Sequence, residues 1–382
     1  MTILQTLWSF SGYLIPFVVV LSAVVFFHEL GHFAVGRWCG VKVEAFSIGF
    51  GPEICAYTDK KGTRWRLAVI PLGGYVKFYG DANAASMSSA EIDAAMSPED
   101  RKLSLYGQSV GKRAAIVAAG PIANFILAIV IFTGMFWFTG RAELAPRIAS
   151  VRAGEAAEKA GFLAGDLVVA IDGVKITSWN ELQRAIQAAG DVTLNFVVER
   201  GNRELNLVAT PARRDIETPF GTHRAGILGV TASNKAEDWR MREYDFGQSV
   251  REGLGETWYV IERTGSYIGG LFAGRESAAQ ISGPLRIAEV SGEVAKVSLL
   301  ALINLAAILS ISVGLLNLFP VPPLDGGHLL YFAVEALKGR PLSQWGQEMG
   351  IRIGLAMVLA LMVFATFNDI IHVGPKLLRL FG

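Results

Sequence analysis

The chain has 382 residues, of which 52% are apolar and only 18% are charged. Its formal net charge of +1 predicts no nucleic-acid partner, because proteins that bind nucleic acids usually carry an excess of Lys and Arg to neutralise the phosphates. The charged residues cluster between long apolar stretches, a pattern that is typical of a membrane protein rather than a soluble enzyme.

Four apolar segments are candidates to cross a lipid bilayer. A spanning helix needs about 20 residues, and three segments reach that length: 14–33, 114–138 and 297–319. A fourth, 353–367, is shorter and begins beside Arg352, so it requires tilt or a snorkelling side chain. The first segment lacks a basic leader, and we expect it to be retained rather than removed as a signal peptide.

Lys and Arg in the connecting segments predict the orientation. Residues 1–13 contain none, whereas 34–113 contain eleven, and Lys338 and Arg340 lie in the third connection. Loops rich in Lys and Arg stay in the cytoplasm. We therefore expect the first and third loops to be cytoplasmic, with the N-terminus, the segment 139–296 and the C-terminus on the opposite side.

The first apolar segment contains the sequence HELGH at residues 28–32. This spacing places His28 and His32 on one helical face, where they can bind a single metal ion, with Glu29 beside them as the base for a water molecule. Polar groups inside a membrane span are costly. A single buried histidine is usually structural, but this pair predicts a hydrolytic zinc site.

A second polar cluster, NLFPVPPLDGGH at residues 317–328, breaks the third apolar segment at its end. The prolines stop the helix and the glycine pair permits a tight turn, so we expect Asp325 on a non-helical stretch at the same depth as the two histidines. A catalytic zinc site has three protein ligands. Asp325 is the predicted third ligand, His328 is its rival, and a plain turn is the alternative without function.

Together these motifs resemble the site-2 proteases, the family of intramembrane zinc metalloproteases, and most closely the bacterial branch of the regulator of sigma-E protease. The resemblance covers nearly the whole chain and rests on HELGH at 28–32, GFGP at 49–52, PLGGYVK at 71–77, GPIAN at 120–124, NLFPVPPLDGG at 317–327 and FND at 367–369. Better-known members carry two PDZ domains, whereas only one fits here. A second Asn that is often found five residues before Asn317 is Ser312 in this chain.

The resemblance implies a Zn²⁺ cofactor and a location in the bacterial inner membrane, with the active site near the cytoplasmic face. It also implies that the substrates are transmembrane segments of single-span proteins, such as anti-sigma factors or remnant signal peptides. Asn317 resembles the family position that holds the substrate strand. Asn124 is interpreted as an amide in helix packing.

Residues 64–80 are too apolar for an ordinary exposed loop and predict a membrane-associated β-hairpin. Arg64–Ile70 and Tyr75–Tyr79 would flank a turn at Pro71–Gly74. A transmembrane substrate must be unwound before it can be cut, and an edge strand could then bind it by strand addition. The predicted substrate-binding residues of that strand are Tyr75, Val76, Lys77 and Phe78. A small soluble hairpin that packs on its own loop is the alternative.

Residues 142–233 resemble one bacterial PDZ domain. The resemblance rests on Val151–Asp166 and Val168–Gly173, with a helix at 180–189, strands at 193–200 and 204–209, and a closing strand at 226–230. In this family such a domain is implied to act as a filter that admits only substrates already trimmed outside the membrane. A peptide is a possible ligand of this domain.

The predicted fold is therefore a polytopic α-helical membrane protein with four transmembrane helices, a membrane-associated β-hairpin loop and one inserted, β-rich PDZ domain. Its predicted parts are 1–141 with the first two spans, 142–233 as the PDZ domain, 234–296 as an amphipathic linker on the outer interface, and 297–382 with the last two spans. The predicted function is intramembrane zinc-dependent proteolysis with Glu29 as the catalytic base. Its predicted partners are transmembrane protein substrates and the lipid bilayer. A catalytically silent PDZ scaffold and a zinc carrier are the alternatives.

Overall fold

The computed structural model describes residues 3–81, 96–218, 221–278 and 281–381. The chain divides into two compact units. The first unit consists of Met1–Thr133, Val250–Thr264 and Ser282–Gly382, and the second of Gly134–Ser249 and Gly265–Ile281. The first unit contains most of the residues in the long apolar helices, and the second contains a β-rich module.

The described part of the chain contains ten α-helices in chain order. They are α1 Ile3–Trp38, α2 Pro98–Leu103, α3 Val110–Thr139, α4 Ala156–Lys159, α5 Trp179–Ala188, α6 Phe246–Phe272, α7 Pro284–Val297, α8 Leu299–Asn317, α9 Asp325–Lys338 and α10 Gln344–Phe381. The glycine-rich stretch 267–272 forms the last part of α6.

Four of these described helices are long and apolar enough to cross a membrane, as the sequence predicts. The candidate spans are Gly12–Trp38, Val110–Thr139, Leu299–Asn317 and Trp345–Ile371. The fourth span is longer than expected, because α10 begins well before Arg352 and carries that charged residue inside the helix. Its 27 residues correspond to about 40 Å of helix, which is more than enough to cross a hydrocarbon core of about 30 Å.

A long antiparallel hairpin follows α1. Its strands are β1 Val43–Thr58 and β2 Arg64–Phe78. The turn lies at residues 59–63, where Oδ1 of Asp59 accepts hydrogen bonds from the N–H groups of Lys61 and Thr63, and Gly62 has a φ of +83°. The predicted turn at Pro71–Gly74 is wrong, since these residues lie inside β2 and the carboxylate of Asp59 closes the hairpin instead.

The last part of β2 forms an edge of this sheet. Residues 43–48 pair with 74–78, residues 45–48 also pair with 64–67, and 53–58 pair with 64–68. Among the described residues, Gly74–Phe78 has a strand neighbour on one side only, and we call this segment the edge strand. Its inner side chains and α1 share one buried apolar cluster that includes Phe33, Val43, Phe46, Val76 and Phe78. Burial of each large side chain is worth about 1.5–3 kcal/mol, so the cluster fixes the edge strand beside α1.

The break between α8 and α9 places Asp325 at a helix start. Pro322 and Pro323 cannot continue a helix, and the chain resumes helical structure at Asp325 itself. The expectation of a non-helical Asp325 is therefore wrong, because the free N–H groups of a first helical turn favour a carboxylate there. A side chain at Gly326 or Gly327 would collide with the backbone that precedes the turn, so this return of the chain requires glycine.

The second unit contains ten strands among its described residues: β3 Arg141–Leu144, β4 Ile148–Val151, β5 Leu167–Ile171, β6 Val174–Lys175, β7 Leu194–Arg200, β8 Arg203–Ala209, β9 Ala212–Thr218, β10 Gly221–Ile227, β11 Val230–Ala232 and β12 Trp239–Arg242. Four of them form a sheet in the order β6-β5-β7-β8. Helix α5 begins with a capping box formed by Ser178 and Glu181, and its Leu182 and Ile186 are buried.

The closing strand of this module differs from the prediction. The strand that pairs with β4 is β11, at Val230–Ala232, whereas Gly226 and Ile227 belong to β10 in a hairpin with β9. Pairing with β4, rather than local sequence, selects the closing residues. Strands β3 and β12 pair through Leu144 and Trp239, which brings the two ends of the module together.

Candidate metal centre

His28, His32 and Asp325 come together although they are far apart in sequence. The Nε2 atoms of His28 and His32 are 3.3 Å apart, and they lie 3.2 and 3.5 Å from Oδ2 of Asp325. Within the described ranges this is the one group of three His, Cys, Asp or Glu ligand atoms close enough to share a metal ion. The helical spacing in α1 and the return of the chain at Asp325 together create it.

The group fits a zinc ion. In a tetrahedral site with bonds of about 2.0–2.1 Å, ligand atoms lie roughly 3.3–3.4 Å from one another. The three observed distances lie on either side of this value. Oδ2 of Asp325 is also buried and receives no well-formed hydrogen bond within the described residues, so a cation would supply the missing partner.

The opposite ring nitrogens of the two histidines face α3. Nδ1 of His32 donates to the main-chain carbonyl of Ile116 at 2.9 Å, which leaves Nε2 with a free lone pair. Nδ1 of His28 lies 3.2 Å from the side-chain amide of Asn124. Asn124 is therefore a neighbour of a proposed ligand as well as a buried helix residue. The signal in the sequence is the pair Gly120 and Asn124, which lie four residues apart on one face of α3.

The electrostatics of the α8–α9 break suit a ligand carboxylate. Burial alone would raise the pKa of Asp325, but the neighbouring His32 and His28 lower it well below its usual range. Burial lowers the pKa of His328, against a smaller opposing effect of Asp325. Asp325 is thus held as an anion beside the two imidazoles, while His328 is favoured as the neutral imidazole.

The proposed ligands and Glu29 line a cavity of about 210 Å³. The main-chain N–H of Val76 donates to the carboxylate of Glu29. The edge strand contributes Gly74, Tyr75, Val76 and Phe78 to the wall, and Asn317 from the end of α8 lines the same cavity. The cavity therefore combines the candidate metal-binding group, the carboxylate of Glu29 and one side of the edge strand.

Three further residues singled out from the sequence lie outside the group of ligand atoms. Lys77 is not in the cavity wall, and its amino group instead pairs with Glu44 at 2.8 Å. His328 lines the cavity but is outside the group of three ligand atoms. The hydroxyl of Ser312 donates to the carbonyl of Ile308 in its own helix.

Comparison with known proteins identifies the family of this chain. The model of Peptidase family M50 matches residues 16–361. The chain is 49% identical to "Putative zinc metalloprotease Atu1380" of Agrobacterium fabrum, over 97% of this chain and 98% of that protein. It is 37% identical to "Metalloprotease MmpA" of Caulobacter vibrioides, over 94% and 95% of the two chains. A solved PDZ domain of an SdrC-like protein from Listeria monocytogenes matches 23% of this chain and 86% of its own, at 20% identity and a TM-score of 0.19.

The family match covers both proposed histidine ligands and Asp325, and the relatives align over nearly their full length. Four apolar helices of spanning length accompany this match. The chain therefore belongs to Peptidase family M50, the site-2 proteases, and it is a membrane zinc metalloendopeptidase.

Proposed function

We propose that this protein hydrolyses peptide bonds within the transmembrane segments of single-span proteins, such as anti-sigma factors or remnant signal peptides. In this proposal His28, His32 and Asp325 hold zinc, and Glu29 is the catalytic base. The observation that carries the proposal is the convergence of these four side chains on one cavity, three from inside the apolar span Gly12–Trp38 and Asp325 from the chain after the span Leu299–Asn317, beside an edge strand.

Zinc, when bound, supplies a Lewis acid for the scissile carbonyl. Glu29 takes the proton of the attacking water and delivers it to the leaving amine nitrogen. The N–H of Val76 holds the carboxylate of Glu29 toward the cavity. Because Glu29 is next to His28 in α1, the base and the ligands keep a fixed relation to each other.

The open side of the edge strand faces the base. The N–H of Val76 points at Glu29 rather than at β1, and in an antiparallel strand the backbone groups two residues away point to the same side. The N–H of Phe78 on that side is already taken by Asp81, at 3.1 Å. In this proposal an unwound substrate pairs beside Gly74 and takes the N–H of Val76 in place of Glu29, with its scissile bond next to the released carboxylate. Asn317 offers a further amide in the same cavity.

Glu29→Gln tests the proposal in purified protein with a single-span substrate in lipid vesicles. Removal of the proton acceptor should lower cleavage by about 10²–10⁴-fold. Zinc content should stay at one ion per chain, because none of the three proposed ligands changes. Near-normal cleavage by this variant would make the proposed base wrong, and loss of zinc would show that Glu29 belongs to the metal site.

We further propose that the first loop lies in the cytoplasm of a bacterium and that the inner membrane holds the protein. The eleven Lys and Arg residues of 34–113 support this orientation. The two cysteines of the chain, Cys39 and the exposed Cys55, both lie in this loop and are free thiols. A membrane-impermeant maleimide should label them in inverted vesicles and not in intact spheroplasts. Labelling of intact spheroplasts would reverse the topology.

The β-rich module is proposed to be a PDZ domain that restrains access of untrimmed substrates. Its helix α5, its four-stranded sheet and the pairing of β4 with β11 support this assignment. The pairing of Leu144 with Trp239 suggests a clean excision, in which an Asn-Gly turn replaces residues 145–238 and joins β3 to β12. Trimmed substrate should remain cleavable, and untrimmed substrate should become cleavable. Loss of trimmed-substrate cleavage in a folded, zinc-loaded protein would mean that the module delivers substrate.

A further inference from the structure

One face of α3 touches every element that carries a proposed metal ligand. Arg113, Ile116, Gly120 and Asn124 follow one another at intervals of three, four and four residues, which places them on a single helical face. We call these four residues the α3 face. We propose, on the basis of the zinc site described above, that the α3 face orients all three ligands and that Asn124 is the positioning residue for His28.

The contact with His32 is made by backbone. The carbonyl of Ile116 accepts from Nδ1 of His32 and so fixes the ring orientation with Nε2 toward Asp325. A side chain at Gly120 would collide with this ring, so the close approach of α3 to His32 requires glycine at position 120. The ring of His32 is thus held in both orientation and distance.

The contact with His28 is made by a side chain. Asn124 is fully buried, its Nδ2 lies 3.2 Å from Nδ1 of His28, and its Oδ1 has no hydrogen-bond partner within the described residues. When Nε2 of His28 serves as a metal ligand, Nδ1 carries the proton and must donate. Rotation of the amide by 180° brings Oδ1 to that position, which gives the ring its acceptor and the orphaned oxygen its donor. An acceptor at this position also makes the ligand nitrogen more basic.

The contact with Asp325 runs through its helix. The guanidinium of Arg113 donates to Glu335 at 2.6 Å, and the two side chains are only 8% and 14% exposed. The guanidinium also lies 4.9 Å from the ring centre of Phe332, a residue of the cavity wall. Since Glu335 and Phe332 belong to α9, whose first residue is Asp325, this pair fixes the position of the ligand helix on α3.

Substitutions at Asn124 separate positioning from packing, with the zinc dissociation constant of the purified full-length protein measured by competition with a chelator. Asn124→Leu keeps the volume but removes the acceptor, and it should weaken zinc binding by about 10–100-fold. Asn124→Asp keeps an acceptor and should stay within a few-fold of the wild type. Asn124→Ala is the second variant if Leu prevents folding, with the same expected direction. A packing role predicts the reverse order, in which Leu is tolerated and Asp is harmful, and that result would overturn the inference.

Ser310→Ala is the matched control. Ser310 is buried and donates to the main-chain carbonyl of Asn124, so its removal disturbs the same residue without touching the amide. Zinc affinity should not change. Absorption spectra of the cobalt-substituted protein add a second readout, since a misplaced imidazole should alter the spectrum of Asn124→Leu and not that of Ser310→Ala. Equal weakening by both substitutions would mean that packing of α3, rather than the amide, controls the site.

The Arg113 contact and the metal site itself are tested in the same assay. Arg113→Met and Glu335→Met should each weaken zinc binding, and the double variant should be less affected than the sum, because it leaves no unpaired buried charge. Additive effects would exclude Arg113 from the positioning role. His28→Ala distinguishes failure of the zinc site from failure of the positioning role. Retained zinc in His28→Ala would refute the proposed metal site. Loss of zinc in His28→Ala, with unchanged zinc affinity in Asn124→Leu, would refute only the positioning role of Asn124.

Discussion

Two aspartates, the buried Asp166 and the half-buried Asp325, show how differently the two units of this protein use a carboxylate. In the β-rich module, Asp166 accepts from Nε and Nη2 of Arg200 at 2.7 and 2.8 Å and from the N–H of Leu163 at 2.9 Å. In the apolar unit, Oδ2 of Asp325 faces the imidazole nitrogens of His28 and His32 and has no well-formed hydrogen bond within the described residues.

The difference indicates that Asp166 serves stability, whereas Asp325 is placed for function. The hydrogen bonding of Asp166 is satisfied, because the guanidinium of Arg200 and the N–H of Leu163 donate to its two carboxylate oxygens. Asp325 is paired only with groups that are themselves metal ligands in type, and a bare carboxylate in that setting is costly without a cation. Disruption of Asp166 should therefore affect folding of one unit, whereas disruption of Asp325 should affect zinc and cleavage.

Asp325→Ala should have the largest effect. Removal of the third ligand should abolish stoichiometric zinc binding and reduce cleavage by several orders of magnitude, as measured by metal analysis and a single-span substrate assay. His328→Ala is the matched control, since His328 lines the same cavity outside the ligand group. It should retain zinc. Loss of metal in His328→Ala, with metal retained in Asp325→Ala, would transfer the ligand role to His328.

Gly120→Ala should have the next largest effect. The new Cβ would collide with the ring of His32, so either the ring or α3 must move. Zinc affinity should fall by about 10–100-fold, in the range found for disturbed ligand orientation. Gly134→Ala in the same helix is the control, because a Cβ there meets open space. Unchanged affinity in Gly120→Ala would show that the packing of α3 against His32 is adjustable.

Val76→Pro should have a smaller effect, on cleavage rather than on zinc. Proline removes the N–H that donates to Glu29 and that belongs to the open side of the edge strand. Loss of one hydrogen bond of about 0.5–1.5 kcal/mol corresponds to roughly a threefold to tenfold slower cleavage. Val76→Ala, which keeps the N–H but shortens the buried side chain, is the control. Similar cleavage by the two folded variants would exclude strand addition at this position.

The sequence predicts the parts of this molecule that depend on local pattern. The four long apolar helices follow from the length of the apolar runs, and the close approach of His28 and His32 follows from their helical spacing. The turn at Asp59 is missed because Pro71–Gly74 gives a stronger local signal, although a carboxylate closes the hairpin elsewhere. The place of Asn124 beside His28 is missed because it depends on packing between two helices, and the two residues are 96 positions apart in the sequence. Contacts between residues so far apart produce no repeating pattern of residue types in a single sequence.

Arg200→Met should have the smallest effect, and only in the second unit. It leaves Asp166 buried without its cation and should lower the free energy of unfolding of the β-rich module by about 1–3 kcal/mol. Zinc content and cleavage of trimmed substrate should not change. Arg203→Met, at an exposed position of the next strand, is the control. Amide hydrogen exchange of the full-length variants measures the stability of the module separately from the helices.

The stability difference between wild type and Arg200→Met should depend on pH in a defined direction. Burial raises the pKa of Asp166, but the hydrogen bonds from Arg200 and Leu163 outweigh it, so the folded pKa lies below the ordinary value of 3.8. The ion pair therefore stabilises the module fully above that ordinary value, and its contribution is lost as the pH falls through the lower folded pKa. Without Arg200, burial should raise the pKa instead, so protonation on acidification should favour the folded variant. The stability difference between wild type and Arg200→Met should thus narrow as the pH is lowered below about 5. A constant difference across that range would mean that Arg200 contributes by packing of its side chain and not by its charge.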